Sequence, residues 1–264
     1  ADETYTLAIG AASATGTIVD DDGAPSIATV TSDTQLEGLS LVHTVTLSNT
    51  TSEDPRVAYS RDVGTTSRGG TDHSTPPSFS NGVTLVGTNL IVPAGVSSFT
   101  ITVPTTLDTI DELDETYNLS VGGIAAVGTI TDDDAAPTIT AVSDASAIEA
   151  ASIVHTVTLS NPSAVATTYS LSLTDGSATG GGTDYTSTLS NAAFSNGVSI
   201  AAGVITVPAG VTSFTVTVPT TADTLDEADE TYTLSVGAAS GSGTITDDDG
   251  APVVTERFNL IHRS

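Results

Sequence analysis

The sequence predicts an all-β protein built of tandem immunoglobulin-like antiparallel sandwiches. Three observations carry this reading: an internal repeat of sandwich length, period-two alternation of apolar residues with Thr or Ser, and turn chemistry between short apolar runs. DETY begins at Asp2, Asp114 and Asp229, giving offsets of 112 and 115 residues. An aspartate triplet followed closely by an AP dipeptide fills residues 20–22, 132–134 and 247–249. HTVTLSN begins at His43 and His155, FSNGV at Phe79 and Phe194, and VPAGV at Val92 and Val207. Self-similarity at a fixed period marks a repeat array, and about 100 residues is the length of one sandwich.

In chain order, residues 1–25 match only the last quarter of a unit and offer two strands, YTLAI and GTIV. Residues 26–137 make a first complete sandwich and residues 138–252 a second. Residues 253–264 open like a further repeat and then diverge, carrying two of the five Arg, and read as a terminus or a foreign segment. Within the second unit, HTVTL (155–159), SFTVTV (213–218), YTLSV (232–236) and GTIT (243–246) alternate apolar with hydroxyl residues, the signature of half-buried strands. SNP, GGGTD, SNG and PAG supply the turns between them. Thr, Val and Ile dominate, as pleated surfaces favour. No window shows a helical period of useful length. His43 and His155 share one strand position beside Thr, which reads as surface or sheet edge.

Composition narrows the function. The 264-residue chain carries 32 acidic residues, five Arg and no Lys, for a formal net charge of −27. Such a surface repels nucleic acid and anionic membranes, and its natural partners are cations. No Cys is present, which rules out thiolate metal sites and cysteine nucleophiles. No apolar run approaches a membrane span, so membrane insertion is not expected. There is no G-x-S-x-G elbow and no Trp, and paired carboxylates without an aromatic platform argue against glycosidase work. The chain reads as non-enzymatic.

The carboxylates are not spread evenly. In the second unit one cluster runs from Asp223 to Glu230, bridging two strands, and the triplet Asp247, Asp248, Asp249 follows the last strand. A glutamate before the HTVTLSN strand (Glu37, Glu149) and an aspartate in a glycine-rich GTD loop (Asp72, Asp184) recur in both copies. Strand-end loops of a sandwich gather at two ends, so several of these groups can share one apex. Like charges that converge destabilise the fold unless a cation sits among them. Many hard oxygen ligands with few His and no Cys describe Ca²⁺; Mg²⁺ and Zn²⁺ suit the set less well.

The pattern D-x-x-x-E-x-x-E-T-Y, followed by an aspartate triplet that closes the domain, resembles the Calx-beta domain, a calcium-binding immunoglobulin-like sandwich of this length. The GTD loop and the early glutamate extend the resemblance over both full copies. By that resemblance the first copy's metal ligands are Glu37, Asp72, Asp108, Glu112, Glu115, Asp132, Asp133 and Asp134, with the carbonyl of Ile110. The second copy's are Glu149, Asp184, Asp223, Glu227, Glu230, Asp247, Asp248 and Asp249, with the carbonyl of Leu225. Two departures stand out: Leu107 and Ala222 occupy the place of a second Asp in the best calcium-binding members, and GTDH at His73 replaces GTDY.

The tandem, Thr-rich, Lys-free array is similar to the stalk repeats of large bacterial calcium-dependent adhesins of the RTX type. The resemblance implies an extracellular, cell-surface extender stiffened by calcium. The alternative is a pilus-like filament subunit, with neighbouring repeats or identical chains as partners. In that case the part-repeats at each end would complete sandwiches between chains by strand addition. Unpaired strands in residues 1–25 motivate that alternative, because an open edge invites pairing.

Overall fold

A computed structural model describes residues 2–50, 52–66, 72–73 and 76–254. The divergent tail from residue 255 onward lies outside the described residues. Two compact units emerge: residues 1–108 with 114–132, and Thr109–Leu113 with residues 133–264.

The chain opens with the hairpin β1 (Glu3–Ile9) and β2 (Ala12–Ile18). The first sandwich follows with β3 (Ile27–Val30), β4 (Asp33–Leu36), β5 (Ser40–Leu47), β6 (Arg56–Asp62) and β7 (Ser78–Phe79). It continues with β8 (Thr84–Val86), β9 (Asn89–Ile91), β10 (Ser98–Pro104), β11 (Glu115–Val121) and β12 (Ile124–Thr131). The second sandwich contains β13 (Ile139–Val142), β14 (Ala145–Ile148), β15 (Ser152–Leu159), β16 (Thr167–Asp175) and β17 (Ser199–Ala201). Its last members are β18 (Val204–Val207), β19 (Ser213–Pro219), β20 (Glu230–Val236) and β21 (Ala239–Thr246).

The two units repeat one topology. In the first, the sheets order as β3-β5-β10-β7 and β4-β12-β11-β6-β9-β8. The second orders as β13-β15-β19 and β14-β21-β20-β16-β18-β17. Pairing is antiparallel except where β4 runs parallel to β12 and β14 parallel to β21. That exception has a local cause: the first strand of each unit breaks in two, and its second half crosses to the opposite sheet, where it runs alongside the last strand. A register shift within β13 (and within β3 of the first copy) precedes the crossing, as a bulge that bends a strand would.

Alternation fixes which face is core. In β15 every second residue is buried, and β19 follows the same rhythm, so that Ile153, Val157, Phe214 and Val216 point inward while Thr and Ser face out. Each such buried aliphatic or Phe contributes roughly 1.5–3 kcal/mol relative to an exposed one. A one-residue slip would invert both faces, so the pattern also fixes register.

The two histidines depart from the sequence reading. His43 and His155 are fully buried, neither surface nor edge. The His155 Nδ1 lies 2.7 Å from the Ser143 carbonyl, and its Nε2 2.9 Å from the Tyr232 hydroxyl. His43 repeats this with the Thr31 carbonyl and the Tyr117 hydroxyl, both at 2.7 Å. A carbonyl only accepts, so Nδ1 carries the proton and Nε2 accepts from the tyrosine. Burial drives both imidazoles below their usual pKa and keeps them neutral. A strand position read only by its neighbours cannot reveal a partner 77 residues away.

Candidate metal centre

Besides the aspartate triplet after β21, three segments of the second unit supply its candidate ligands. Glu149 lies in the turn between β14 and β15, next to Ala150, whose φ is 56°. Gly38 takes the equivalent place in the first copy with φ 73°. A left-handed residue with a Cβ costs about 1–2 kcal/mol, and the turn it makes leaves Glu149 only 8% exposed. The Glu149 N–H donates to the Thr246 carbonyl at 3.3 Å. Thr246 ends β21 one residue before the aspartate triplet, so this bond sets Glu149 beside residues 247–249.

The second segment is the irregular stretch between β19 and β20. The Asp223 N–H donates to Glu149 Oε2 at 3.2 Å, and the Leu225 N–H donates to Asp223 Oδ1 at 2.7 Å, an Asx-type turn. The third is the glycine-rich loop after β16. There Asp184 Oδ2 accepts the Thr179 N–H at 2.6 Å, while the Asp184 carbonyl accepts the Thr221 N–H at 2.9 Å. Asp175, at the end of β16, holds this loop down: its Oδ1 accepts from the Tyr185 hydroxyl at 2.6 Å and from the Gly180 N–H at 2.9 Å.

These segments bring carboxylates together. One oxygen each from Glu149, Asp223 and Glu227 lie within 4.8 Å of one another, and the same holds for Glu149, Asp248 and Asp249. Glu230, the first residue of β20, hydrogen-bonds Asp184 side chain to side chain. Asp247 Oδ1 and Asp249 Oδ2 are buried and have no hydrogen-bond partner.

Mutual repulsion shows in the acidities. Desolvation and then Asp184 push Glu230 up to about 7. Glu227 is raised by desolvation, then by Asp223, Asp184, Glu149 and Asp247. Asp249 is raised by desolvation and then by Asp248, Asp247 and Asp223. Glu149 is pulled down by the Asp223 N–H, but desolvation and the charges of Asp223, Asp249 and Asp247 outweigh that and leave it raised. Carboxylates held this close, two of them with buried orphan oxygens, leave a deficit of positive charge at one apex.

The donor set is all oxygen, on loops of a sandwich closed by an aspartate triplet. Residues 132–255 match the Calx-beta domain. That span covers the second sandwich, including every carboxylate just described. No curated protein matches the chain. Among solved structures, one titled for the chaperone-tip adhesin complex in CFA/I fimbriae biogenesis is 12% identical, covers 80% of this chain and 93% of its own, and has a TM-score of 0.26. The class 5 fimbriae chaperone CfaA is 13% identical over 81% of this chain and 99% of its own, with a TM-score of 0.27. Superpositions this loose carry no inference about partner or role.

The residues present fit a Calx-beta calcium site in donor chemistry. Glu149, Asp223, Glu227, Asp248 and Asp249 converge, Asp184 pairs with Glu230, and Asp247 adds charge and an unsatisfied buried oxygen. Leu225 stands in the Asx turn of Asp223. In the first copy, Glu37, Asp72, Asp108, Glu115 and Asp132 lie in the first unit, while Ile110, Glu112, Asp133 and Asp134 group with the second. Glu37 and Asp72 are buried like Glu149. The Glu37 N–H meets the Thr131 carbonyl at 3.1 Å, as Glu149 meets Thr246.

Two supporting groups escape a reading of acidic motifs. Asp175 positions the Asp184 loop through Tyr185, and its signal is the recurrence of Asp62 at the end of the matching strand. Tyr185 also stacks on Tyr232 at 4.5 Å, and in the first copy His73 takes that place against Tyr117, edge-on at 5.7 Å. The GTDH departure therefore alters the floor of the loop rather than its carboxylate.

Proposed function

We propose that the chain is a non-enzymatic, calcium-stabilised structural segment, an extender or stalk of an extracellular bacterial adhesin or surface fibre. The observation that carries this is the apex of the second sandwich, where carboxylate oxygens converge and Asp247 and Asp249 each bury an oxygen without a donor. Glu149, Asp184, Asp223, Glu227, Glu230 and residues 247–249, with the Leu225 carbonyl, would hold Ca²⁺. Calcium would supply the missing positive charge. Its binding energy would then appear as folding stability, because the unfolded chain presents no such site. Low calcium inside a cell would leave the apex repelling itself, and millimolar calcium outside would close it.

The internal repeat and the formal charge of −27 fit an extended, cation-seeking array. No helix among the described residues is long and apolar enough to cross a membrane. A melt of the chain in millimolar CaCl₂, in EGTA and in MgCl₂ tests the reading. A rise in Tm with calcium alone supports it, and coincident melts would overturn it.

A further inference from the structure

Of the asparagines in the chain, only Asn81 and Asn196 precede a glycine. Each Asn–Gly pair is the centre of a tight turn. Asn81 and Gly82 have φ of 54° and 72°, and Asn196 and Gly197 have φ of 54° and 74°. The Val83 N–H closes the first turn on the Ser80 carbonyl at 3.2 Å, and the Val198 N–H closes the second on the Ser195 carbonyl at 3.2 Å. Two left-handed central residues make the type I′ pattern, which Asn followed by Gly suits best. The fold thus favours the one dipeptide whose second nitrogen has no side chain beside it to shield the asparagine amide carbon from attack.

Both turns clamp the outer edge of a strand. In the second unit β19 is the last strand of its sheet. There the Ser195 N–H donates to the Thr215 carbonyl at 3.2 Å, and Ser195 Oγ accepts the Thr215 N–H at 2.7 Å. Asn196 Nδ2 donates to the Ser213 carbonyl at 2.7 Å. The turn after β7 does the same on β10. The Ser80 N–H donates to the Thr100 carbonyl at 3.1 Å, Ser80 Oγ accepts the Thr100 N–H at 2.7 Å, and Asn81 Nδ2 donates to the Ser98 carbonyl at 2.7 Å. These bonds satisfy edge groups that would otherwise be open to another strand. Both asparagines are exposed to water, yet each amide nitrogen is tied to the strand beneath it.

We propose that Asn81 and Asn196 are sites of covalent modification, by deamidation, that the clamp holds closed. When a turn opens, the glycine nitrogen gives its proton to solvent base and attacks the asparagine amide carbon. A carbon–nitrogen bond forms there, the bond to Nδ2 breaks, and that nitrogen leaves as ammonia with a proton from water. One further water opens the cyclic imide at either carbonyl, giving aspartate or β-linked isoaspartate. Water is the only co-reactant. Neither product restores the clamp. A carboxylate oxygen brings no proton to the Ser98 or Ser213 carbonyl and sets a charge against it, and isoaspartate lengthens the backbone of the turn. An opening that reacts is therefore irreversible and leaves an edge of β10 or β19 uncovered. The clamp needs no calcium, so it stands or falls apart from the calcium reading.

The test ages the full chain in mildly alkaline buffer, folded and in urea, and locates aspartate and isoaspartate by peptide mass spectrometry. In urea Asn81 and Asn196 should convert ahead of every other asparagine. In the folded chain both should convert about a hundredfold more slowly or less, because the reaction follows the open population. That comparison needs no substitution. Ser80→Ala removes one clamp bond and leaves Asn81 and Gly82 in place; it should speed conversion at Asn81 by about tenfold and leave Asn196 at the parent rate. Ser195→Ala should do the reverse. Asn196→Asp installs the product, and should quicken amide exchange at Ser195 and Thr215 by about tenfold while the ladder between β15 and β19 keeps its protection. Equal rates in the folded chain and in urea would overturn the gate, and so would parent rates at Asn81 in Ser80→Ala and at Asn196 in Ser195→Ala. An absence of conversion in urea would remove the sites themselves. Unchanged exchange in Asn196→Asp would overturn the uncovered edge.

Discussion

Glu230→Gln separates the repulsion of the apex from its proposed occupancy, because the two effects have opposite signs. The folded protein raises the Glu230 pKa from 4.5 to about 7. A raised carboxyl stabilises the fold while protonated, fully so below 4.5, and that contribution is lost as pH rises through about 7. At pH 8 the ionised group therefore opposes folding. At about 1.36 kcal/mol per pKa unit the shift corresponds to roughly 3 kcal/mol. Solvent screening at this partly exposed apex reduces that to about 1–2 kcal/mol. Gln keeps the shape, removes the charge, and donates an N–H to Asp184 where Glu230 must share a proton. In EGTA at pH 8 the variant should melt roughly 3–10 °C above the parent. In millimolar CaCl₂ the order should reverse or the gap should close, since the variant lacks a charged ligand. Scanning calorimetry of both chains under both conditions reads this directly. A variant less stable than its parent in EGTA would refute the repulsion argument. An equal calcium shift in the two chains would refute Glu230 as a ligand.

Three further outcomes follow from the buried groups. Tyr232→Phe removes the hydroxyl that His155 Nε2 accepts from at 2.9 Å and should cost about 1–3 kcal/mol in a denaturant melt, with or without calcium. Gly243→Ala puts a Cβ 2.2 Å from the Tyr232 ring and should cost about 3 kcal/mol by overpacking; Gly250→Ala, with nothing within 4 Å, should leave the melt unchanged. The imidazoles of His43 and His155 should titrate below 6.5 and show Nδ1–H in nitrogen NMR. Their folded pKa is depressed, so the stability they contribute is present above 6.5 and is lost as pH falls through the folded value.

The sheet elements were legible because their code is local. HTVTL, SFTVTV, YTLSV and GTIT each state a period of two, and β15, β19, β20 and β21 contain them. Repeat spacing singled out the acidic positions, and among them Glu149 draws together with Asp223 and Glu227 and with Asp248 and Asp249. What could not be read was any feature requiring two distant positions at once. The crossing of β14 to the far sheet, the burial of His155 under Tyr232 and the support of Asp184 by Asp175 and Tyr185 all depend on partners in other strands. Alternation says that His155 shares a face with Val157; it does not say that a tyrosine hydroxyl waits there.

The burial of those histidines bears on how calcium could control this fold. The core beneath the apex is neutral: His155 is satisfied by a carbonyl and a hydroxyl, and Tyr232 packs against Tyr185 and over Gly243. The raised carboxyls, by contrast, lie in loops at residues 149, 227 and 249 and at Glu230, the residue that opens β20. Charge stress and hydrophobic stability are thus housed in different parts of one sandwich. Local opening draws on segments with few buried contacts before it reaches core strands. On the calcium reading, removing the ion should therefore free residues 221–229 and 247–250 first. The ladders between β20 and β21 and between β15 and β19 should persist to the global transition. Hydrogen exchange in EGTA would show that order, and uniform loss of protection across β15 and β20 would mean that calcium acts on the whole sandwich rather than on its apex.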